Sequence, residues 1–255
     1  MTDRLLAALR QHGTTATGFV VCGRDSDGQA LRRWLAAGMD LGNHTNSHKD
    51  IDTMPPAAWE EDVLACQRHL ERLGHLPRFF RFPMLHQGRL PARRDLALAT
   101  LRRLGLANAP VTVDTADWVL VRAYAKALQT GDSKACHDIG AAYIAHVLAA
   151  IRHYRQVARA RAGREVQHIL LLHGSALAAD HLAPLLAAIR REGLPFVSLT
   201  AALLDPVYQR PDDYAGPIGM SWLYRFRPAQ PDAWRWDRDQ QRALESRFGA
   251  LLHSN

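Results

Sequence analysis

DLGNHTNSHKDIDTMPPAAWEEDVLACQRHLERLGHLPRFFRF, residues 40–82, reads as strand, polar loop, helix and strand in succession. Asp40 to His44 and Phe79 to Phe82 are short runs of β type. Between them Trp59, Val63, Cys66, Leu70 and Leu73 recur at steps of three or four after the helix-start signal Pro55-Pro56. The same alternation extends in both directions, with strands predicted at Thr14 to Cys22, Ala109 to Asp114, His168 to His173 and Pro195 to Leu199. Strands that alternate with helical segments imply a parallel sheet joined by helical crossovers, the α/β class.

The chain has 255 residues, 47% hydrophobic and 22% charged, enough to bury a large core and too apolar for disorder. Its length fits either one β/α barrel or two smaller domains. A net charge of +7 favours polyanionic partners, but no helix-turn-helix, zinc-finger or aromatic-stacking motif accompanies it, so nucleic acid is not expected as a partner. No window approaches the roughly 18 apolar residues of a spanning helix, and Met1-Thr2-Asp3-Arg4 opens into an amphipathic pattern rather than a signal peptide; a soluble chain is expected.

Cys22, Cys66 and Cys136 are odd in number and widely spaced, which predicts core or helix-face residues and no disulfide framework. The interval from Trp118 to Gln167 reads as mostly helical, with a second helix from about Ile139 to Ala162. Its basic run from Arg152 to Arg164 reads as a solvated face. Beyond Leu204 the chain turns rich in Pro, Tyr and Trp and ends in a short amphipathic helix.

His44 and His48 lie four apart just after a predicted strand, a spacing that can converge two imidazoles on one ion. The small, hydroxylated and amide residues around them suit a solvent-open loop. Arg81, Asp114, Asp117 and His173 fall at or just past the ends of other predicted strands, and in a parallel barrel those ends open on one face. Each has an ordinary structural reading: an ion pair for Arg81, a helix cap for Asp114, a solvated loop for Asp117, a rim histidine for His173. Four such residues converging on one face favour a site. His86 can reach the same face or serve as a loop-surface residue.

The chain resembles the NodB-type polysaccharide deacetylases, carbohydrate esterase family 4. His44-Thr45-Asn46-Ser47-His48 matches the H-[S/T]-x-x-H motif, Arg81-Phe82-Pro83 the R-x-P motif, Asp117-Trp118 the D-W motif and Leu170-Leu171-Leu172-His173 the leucine-histidine motif, in the family's order. Phe80 to Gly88 and Tyr214 to Leu223 also look like segments of a bacterial branch. The resemblance covers about residues 1–227. It implies an irregular (β/α)7-type barrel and metal-dependent removal of N- or O-acetyl groups from an acetylated glycan. It assigns His44 and His48 as ligands of zinc or another divalent ion, and Arg81 as the group that steadies the base. His173 would be the general acid, oriented by Asp117, while Trp118, Leu171 and Pro83 line the substrate pocket. Such a division of labour suits the chemistry, because amide hydrolysis needs a Lewis acid, a base for water and an acid for the leaving amine.

The family's first motif, T-[F/Y]-D-D, which supplies the base and a third ligand, is not matched before His44; Asp25 and Asp27 fall in a turn, and Asp212-Asp213 lies in the tail. Residues 2–12 read as the helix that normally follows that motif, so the first strand is expected to be missing and the activity of the chain as written impaired. A start assigned too far downstream and a barrel that has lost catalysis both account for this. Zinc would then be held weakly unless Asp50 or another carboxylate substitutes. The expected domains are a barrel over 1–227 with a helical insertion at about 119–167, and a helical tail over 228–255. The alternative function is a non-catalytic glycan-binding barrel. Members of the family are often periplasmic or secreted; the sequence itself sets neither compartment, sugar nor oligomeric state.

Overall fold

The computed structural model of the chain describes residues 1–226 and 234–253. Its elements in order are α1 (Thr2–Gln11), β1 (Thr17–Val20), α2 (Gln29–Ala36), β2 (Asp40–Asn43), α3 (Pro56–Arg72), β3 (Phe79–Phe80) and α4 (Pro91–Arg103). There follow β4 (Ala107–Asn108), α5 (Trp118–Gln129), α6 (Ser133–Ala162), α7 (Ala176–Arg191), α8 (Leu199–Ala202) and α9 (Arg235–His253). The fold is α/β with a parallel sheet, as the alternation predicts. Two compact units divide it: a sheet unit of Thr15–Val111 with the described part of Leu199–Pro228, and a helical unit of Met1–Thr14, Thr112–Ser198 and α9. The domain boundary expected at 227–228 lies outside the described residues.

In the sheet unit the strand order is β1-β2-β3-β4, all parallel. β2 pairs with β1 from Thr17–Asp40 to Val20–Asn43, and Asn43 pairs with Phe80. The predicted strands are longer than those observed, for identifiable reasons. β3 ends where Pro83, which has no amide to donate, opens a short turn. The strand expected at Ala109 to Asp114 is replaced by β4, which stops before Pro110 once Ala109 has donated to Phe80 O at 2.8 Å.

α3 packs the face that its sequence marks. Pro56 starts it, and Trp59, Val63, Cys66 and Leu70 are buried. Trp59 stacks on Phe82 at 5.8 Å and 6°, and Phe80 meets Phe82 edge-on at 4.9 Å. With Ile51, Val63, Ala97, Leu101 and Leu106 these rings form one core cluster. Cys22 and Cys66 are joined by a disulfide across 44 positions, which corrects the expectation that no cysteines pair. The crossover lays the middle of α3 beside the turn that follows β1, a proximity that sequence spacing does not carry.

In the helical unit α1 lies against α7 through Leu5, Leu6, Ala8 and Leu9. The strand expected at His168 to His173 is reduced to a single parallel bridge between Val113 and Leu170. Thr112 Oγ1 accepts from Ile169 N at 2.8 Å, so a side chain takes over part of the ladder. No strand forms at Pro195 to Leu199: Val197 is 44% exposed, and Leu199 begins α8 in the sheet unit. α6 starts six residues earlier than expected because Asp132 caps it, accepting from Ala135 N at 2.8 Å. Its basic face is an ion-paired surface, with Arg152 on Glu192 and Arg155 and Arg159 on Glu165.

Two outcomes follow from this packing. Trp59→Ala removes a side chain that is 1% exposed, and urea unfolding is expected to show a loss of about 3–5 kcal/mol. His153 stacks on Trp236 at 4.1 Å, and burial holds its pKa down at about 4. The unfolded ring protonates near pH 6.5 and the folded one does not, so its contribution is intact above about pH 6.5 and falls as pH drops towards 4. Thermal midpoints recorded across that window are expected to decline less in His153→Phe.

Candidate active site

The sequence-predicted residues divide between the units. His44, His48, Arg81 and Pro83 belong to the sheet unit; Asp117, Trp118, Leu171 and His173 belong to the helical unit.

In the sheet unit, β2 delivers His44 at its end, where His44 N donates to Val20 O at 3.0 Å and so extends the pairing with β1 by one bond. The loop that follows is fixed from several sides. Asn43, fully buried, donates through Nδ2 to Val63 O at 2.8 Å and accepts from Thr45 N at 2.9 Å. Thr45 Oγ1 accepts from His48 N at 2.9 Å, while Thr45 O and Asn46 O accept from Cys22 N and Gly23 N. A Cβ at Gly23 would stand 2.6 Å from Asn46 O, which reserves that position for glycine. Thr45 and His48 hold left-handed backbone, φ 63° and 60°, a conformation costly for residues with side chains.

The His44 and His48 rings lie 4.9 Å apart, inclined at 72°. Two imidazoles that bind one tetrahedral ion through bonds of about 2.0–2.1 Å have centroids roughly 5 Å apart, so the pair fits two positions of a zinc site. His44 Nδ1 lies 2.7 Å from Arg81 O. That bond places the ring proton on Nδ1 and the lone pair on Nε2, the arrangement a ligating histidine needs.

Arg81, 7% exposed, follows β3; its backbone amide donates to Asn43 O at 3.0 Å and its Nε to Ala109 O at 3.1 Å. Its guanidinium sits 4.0 Å above the Phe19 ring, which also faces His44 edge-on at 6.5 Å. Phe19 in turn fills the space beside Gly42, where a Cβ would come within 2.5 Å of the ring. Pro83 is buried at the start of a turn whose next two residues, Met84 and Leu85, are left-handed at φ 51° and 56°.

His86 is buried rather than on the loop surface: Nδ1 lies 2.7 Å from Asp50 Oδ2 and Nε2 lies 2.8 Å from Gly216 O. With Asp52 these residues form a cluster of two carboxylates and one imidazole, but both ring nitrogens already face oxygens of the protein. Asp50, which also accepts from Asp52 N at 2.8 Å, is committed there. The neighbouring cavity, of about 710 Å³, is lined in part by Asp50, Asp52, His86 and Arg93. Arg93 uses its guanidinium to donate to Ile51 O and Met54 O.

In the helical unit, Leu171 N donates to Val113 O at 3.0 Å, beside the single bridge from which the chain runs on to His173. Asp117, 1% exposed, precedes α5 and takes both bonds that orient this histidine. Its Oδ2 accepts from His173 N at 2.9 Å, and its Oδ1 lies 2.6 Å from His173 Nδ1. The His173 side chain remains 48% exposed. Asp114 accepts from Ala116 N at 3.1 Å, a turn-forming role. Trp118 opens α5 at 36% exposure and Leu171 is half-buried. From behind, His146 Nε2 meets Thr115 O at 2.6 Å; burial lowers its pKa, so it serves as a neutral donor.

Asn43, Phe19 and His146 are supporting residues that the sequence reading did not single out. So is Asp62, a carboxylate on the buried stripe of α3. A polar group at a core position of an amphipathic helix was the available signal.

Residues 1–108 match the polysaccharide deacetylase family. Among curated proteins, a chitooligosaccharide deacetylase of Bradyrhizobium sp. (strain ANU 289) is 30% identical over 146 residues, 54% of this chain and 64% of the relative. The chain thus spans less than two thirds of that relative's length. Among solved structures, the peptidoglycan deacetylase PdaC from Bacillus subtilis is 19% identical with a TM-score of 0.53, over 79% of this chain and 82% of the other. A family 4 carbohydrate esterase from Streptomyces lividans, solved with acetate, is 20% identical with a TM-score of 0.53, over 79% and 88%. A family 4 pseudoenzyme from Bacillus anthracis is 17% identical with a TM-score of 0.55, over 79% and 60%. At these identities the structures show a shared fold, that of the family's β/α barrels. Over residues 1–108 the chain is thus similar to the polysaccharide deacetylases, and the curated relative it resembles is a chitooligosaccharide deacetylase.

Proposed function

We propose that this protein is a metal-dependent deacetylase of acetylated glycans, with His44 and His48 as metal ligands and His173 as general acid. The observation that carries the reading is the His44–His48 pair, at 4.9 Å on a loop pinned at every residue, with the His44 tautomer set by Arg81 O. A divalent ion such as zinc bound there supplies polarisation of an acyl oxygen and a more acidic water.

The protein's own groups would supply the acid and its orientation. His173 holds its Nδ1 proton on buried Asp117, which fixes the ring, so Nε2 is the atom that would give a proton to the departing amine or alkoxide. Arg81, clamped between Ala109 O and the Phe19 ring, presents a fixed positive charge suited to steadying a base carboxylate. No Asp-Asp pair before His44 supplies that base, so the activity of the chain as written is expected to be impaired. Trp118, partly exposed, and Leu171 would contribute substrate contacts from the helical unit, and Pro83 from the sheet unit.

A second reading, a glycan-binding barrel without catalysis, draws on one specific observation. Among the described residues, the metal-competent cluster of three is Asp50, Asp52 and His86, and it includes neither His44 nor His48.

The two readings separate in one experiment: zinc calorimetry together with acetate release from chitooligosaccharides. Deacetylation that is stopped by a chelator, restored by zinc and lowered about 10²–10⁴-fold by His173→Ala supports the enzyme. Saturable glycan binding without acetate release supports the binding barrel. Zinc binding unaffected by His48→Ala would refute the ligand assignment.

A further inference from the structure

We propose that Asp62 is a positioning residue that holds the His44–His48 pair in its converged geometry. The inference rests on the ligand roles proposed above, but concerns a residue to which they assign no part.

Asp62 is buried on α3 at the edge of the stripe formed by Trp59, Val63, Cys66 and Leu70, and is 8% exposed. A carboxylate there forfeits hydration and is retained at a cost unless hydrogen bonds compensate. The compensation comes from the metal-binding loop. Ser47 donates to the same oxygen, Oδ2, twice: from its hydroxyl at 2.9 Å and from its backbone amide at 3.3 Å. Asn46 N donates to the Asp62 carbonyl at 3.1 Å. One turn of α3 therefore fastens both residues that lie between Thr45 and His48.

The fastening matters because of the backbone it restrains. Thr45 and His48 are both left-handed, a conformation costly for residues with side chains and most so for β-branched Thr45. Released, the loop would relax towards right-handed or extended backbone at these positions and carry the His48 ring away from His44. Asn43 and Thr45 secure the first half of the loop. Asp62 secures the second half, the part that aims His48.

Because both Ser47 donors converge on one oxygen, the role requires an acceptor at that place and not a negative charge. Asp62→Asn keeps an acceptor there and Asp62→Ala does not. Zinc calorimetry is expected to give a 10–100-fold loss of affinity in Asp62→Ala, the range typical of residues that orient metal ligands. Asp62→Asn should return to within about threefold of wild type on the same scale. A metal-free readout stands beside it: Ser47 amide hydrogen exchange and the His44 and His48 imidazole resonances, expected to lose protection and dispersion in Asp62→Ala and to keep both in Asp62→Asn. Leu101→Ala, a core deletion in α4, controls for general destabilisation; Ser47→Ala, which removes only the hydroxyl donor, should fall between wild type and Asp62→Ala. Unchanged Ser47 protection in Asp62→Ala, or an Asp62→Asn as impaired as Asp62→Ala, would overturn the proposal. Wild-type protein that binds no zinc would instead overturn the ligand roles, while the exchange and resonance data would still decide the role of Asp62.

Discussion

The Asn43 side chain sits where strand, helix and loop meet. Its amide group donates to α3 at Val63 O and accepts from the loop at Thr45 N, in complete burial. Neither bond can be exchanged for water, so the loss of either partner would leave a buried polar group uncompensated. The remaining order of the sheet unit builds on that fixed point. β2 pairs through Asn43 with β3, the Arg81 amide returns to Asn43 O, and the Arg81 carbonyl sets the tautomer of His44. A short stretch of backbone thus transmits strand register directly to an imidazole nitrogen.

Much of the fold was legible because it depends on local repetition. The periodicity of Trp59, Val63, Cys66 and Leu70 gave α3 its buried face, and the alternation of segments gave the parallel sheet. Strand lengths were not legible. Pro83 and Pro110 shorten two of them by withholding amides, and Thr112 replaces a ladder bond with a side-chain bond, effects that depend on which partner lies opposite. The Cys22–Cys66 bond escaped for the same reason, since its proximity is a property of the crossover and not of either segment.

The candidate site shows a similar division. His44, His48, Arg81, Asp117 and His173 could be named because reactive residue types stand out at strand ends. The groups that orient them are ordinary residues in ordinary segments: an asparagine ending a strand, a phenylalanine in another, an aspartate on a helix. What distinguishes them is the contact each makes across the fold, and such contacts are a tertiary property. His86 illustrates the converse. As a histidine near the motifs it looked like a surface or site residue, yet it joins Asp50 to the carbonyl of Gly216 in the interior.

The contact between Phe19 and Gly42 makes two neighbouring strands interdependent in their possible histories. The ring occupies the volume that any side chain at position 42 would need, and the same ring carries Arg81 on its face and His44 at its edge. A larger residue at 42 is therefore accessible only after position 19 has shrunk, and a smaller residue at 19 removes the platform beneath the arginine. Evolutionary drift at either position passes through a state in which the arginine has lost its support, so the two should be inherited as a unit wherever the arginine is in use.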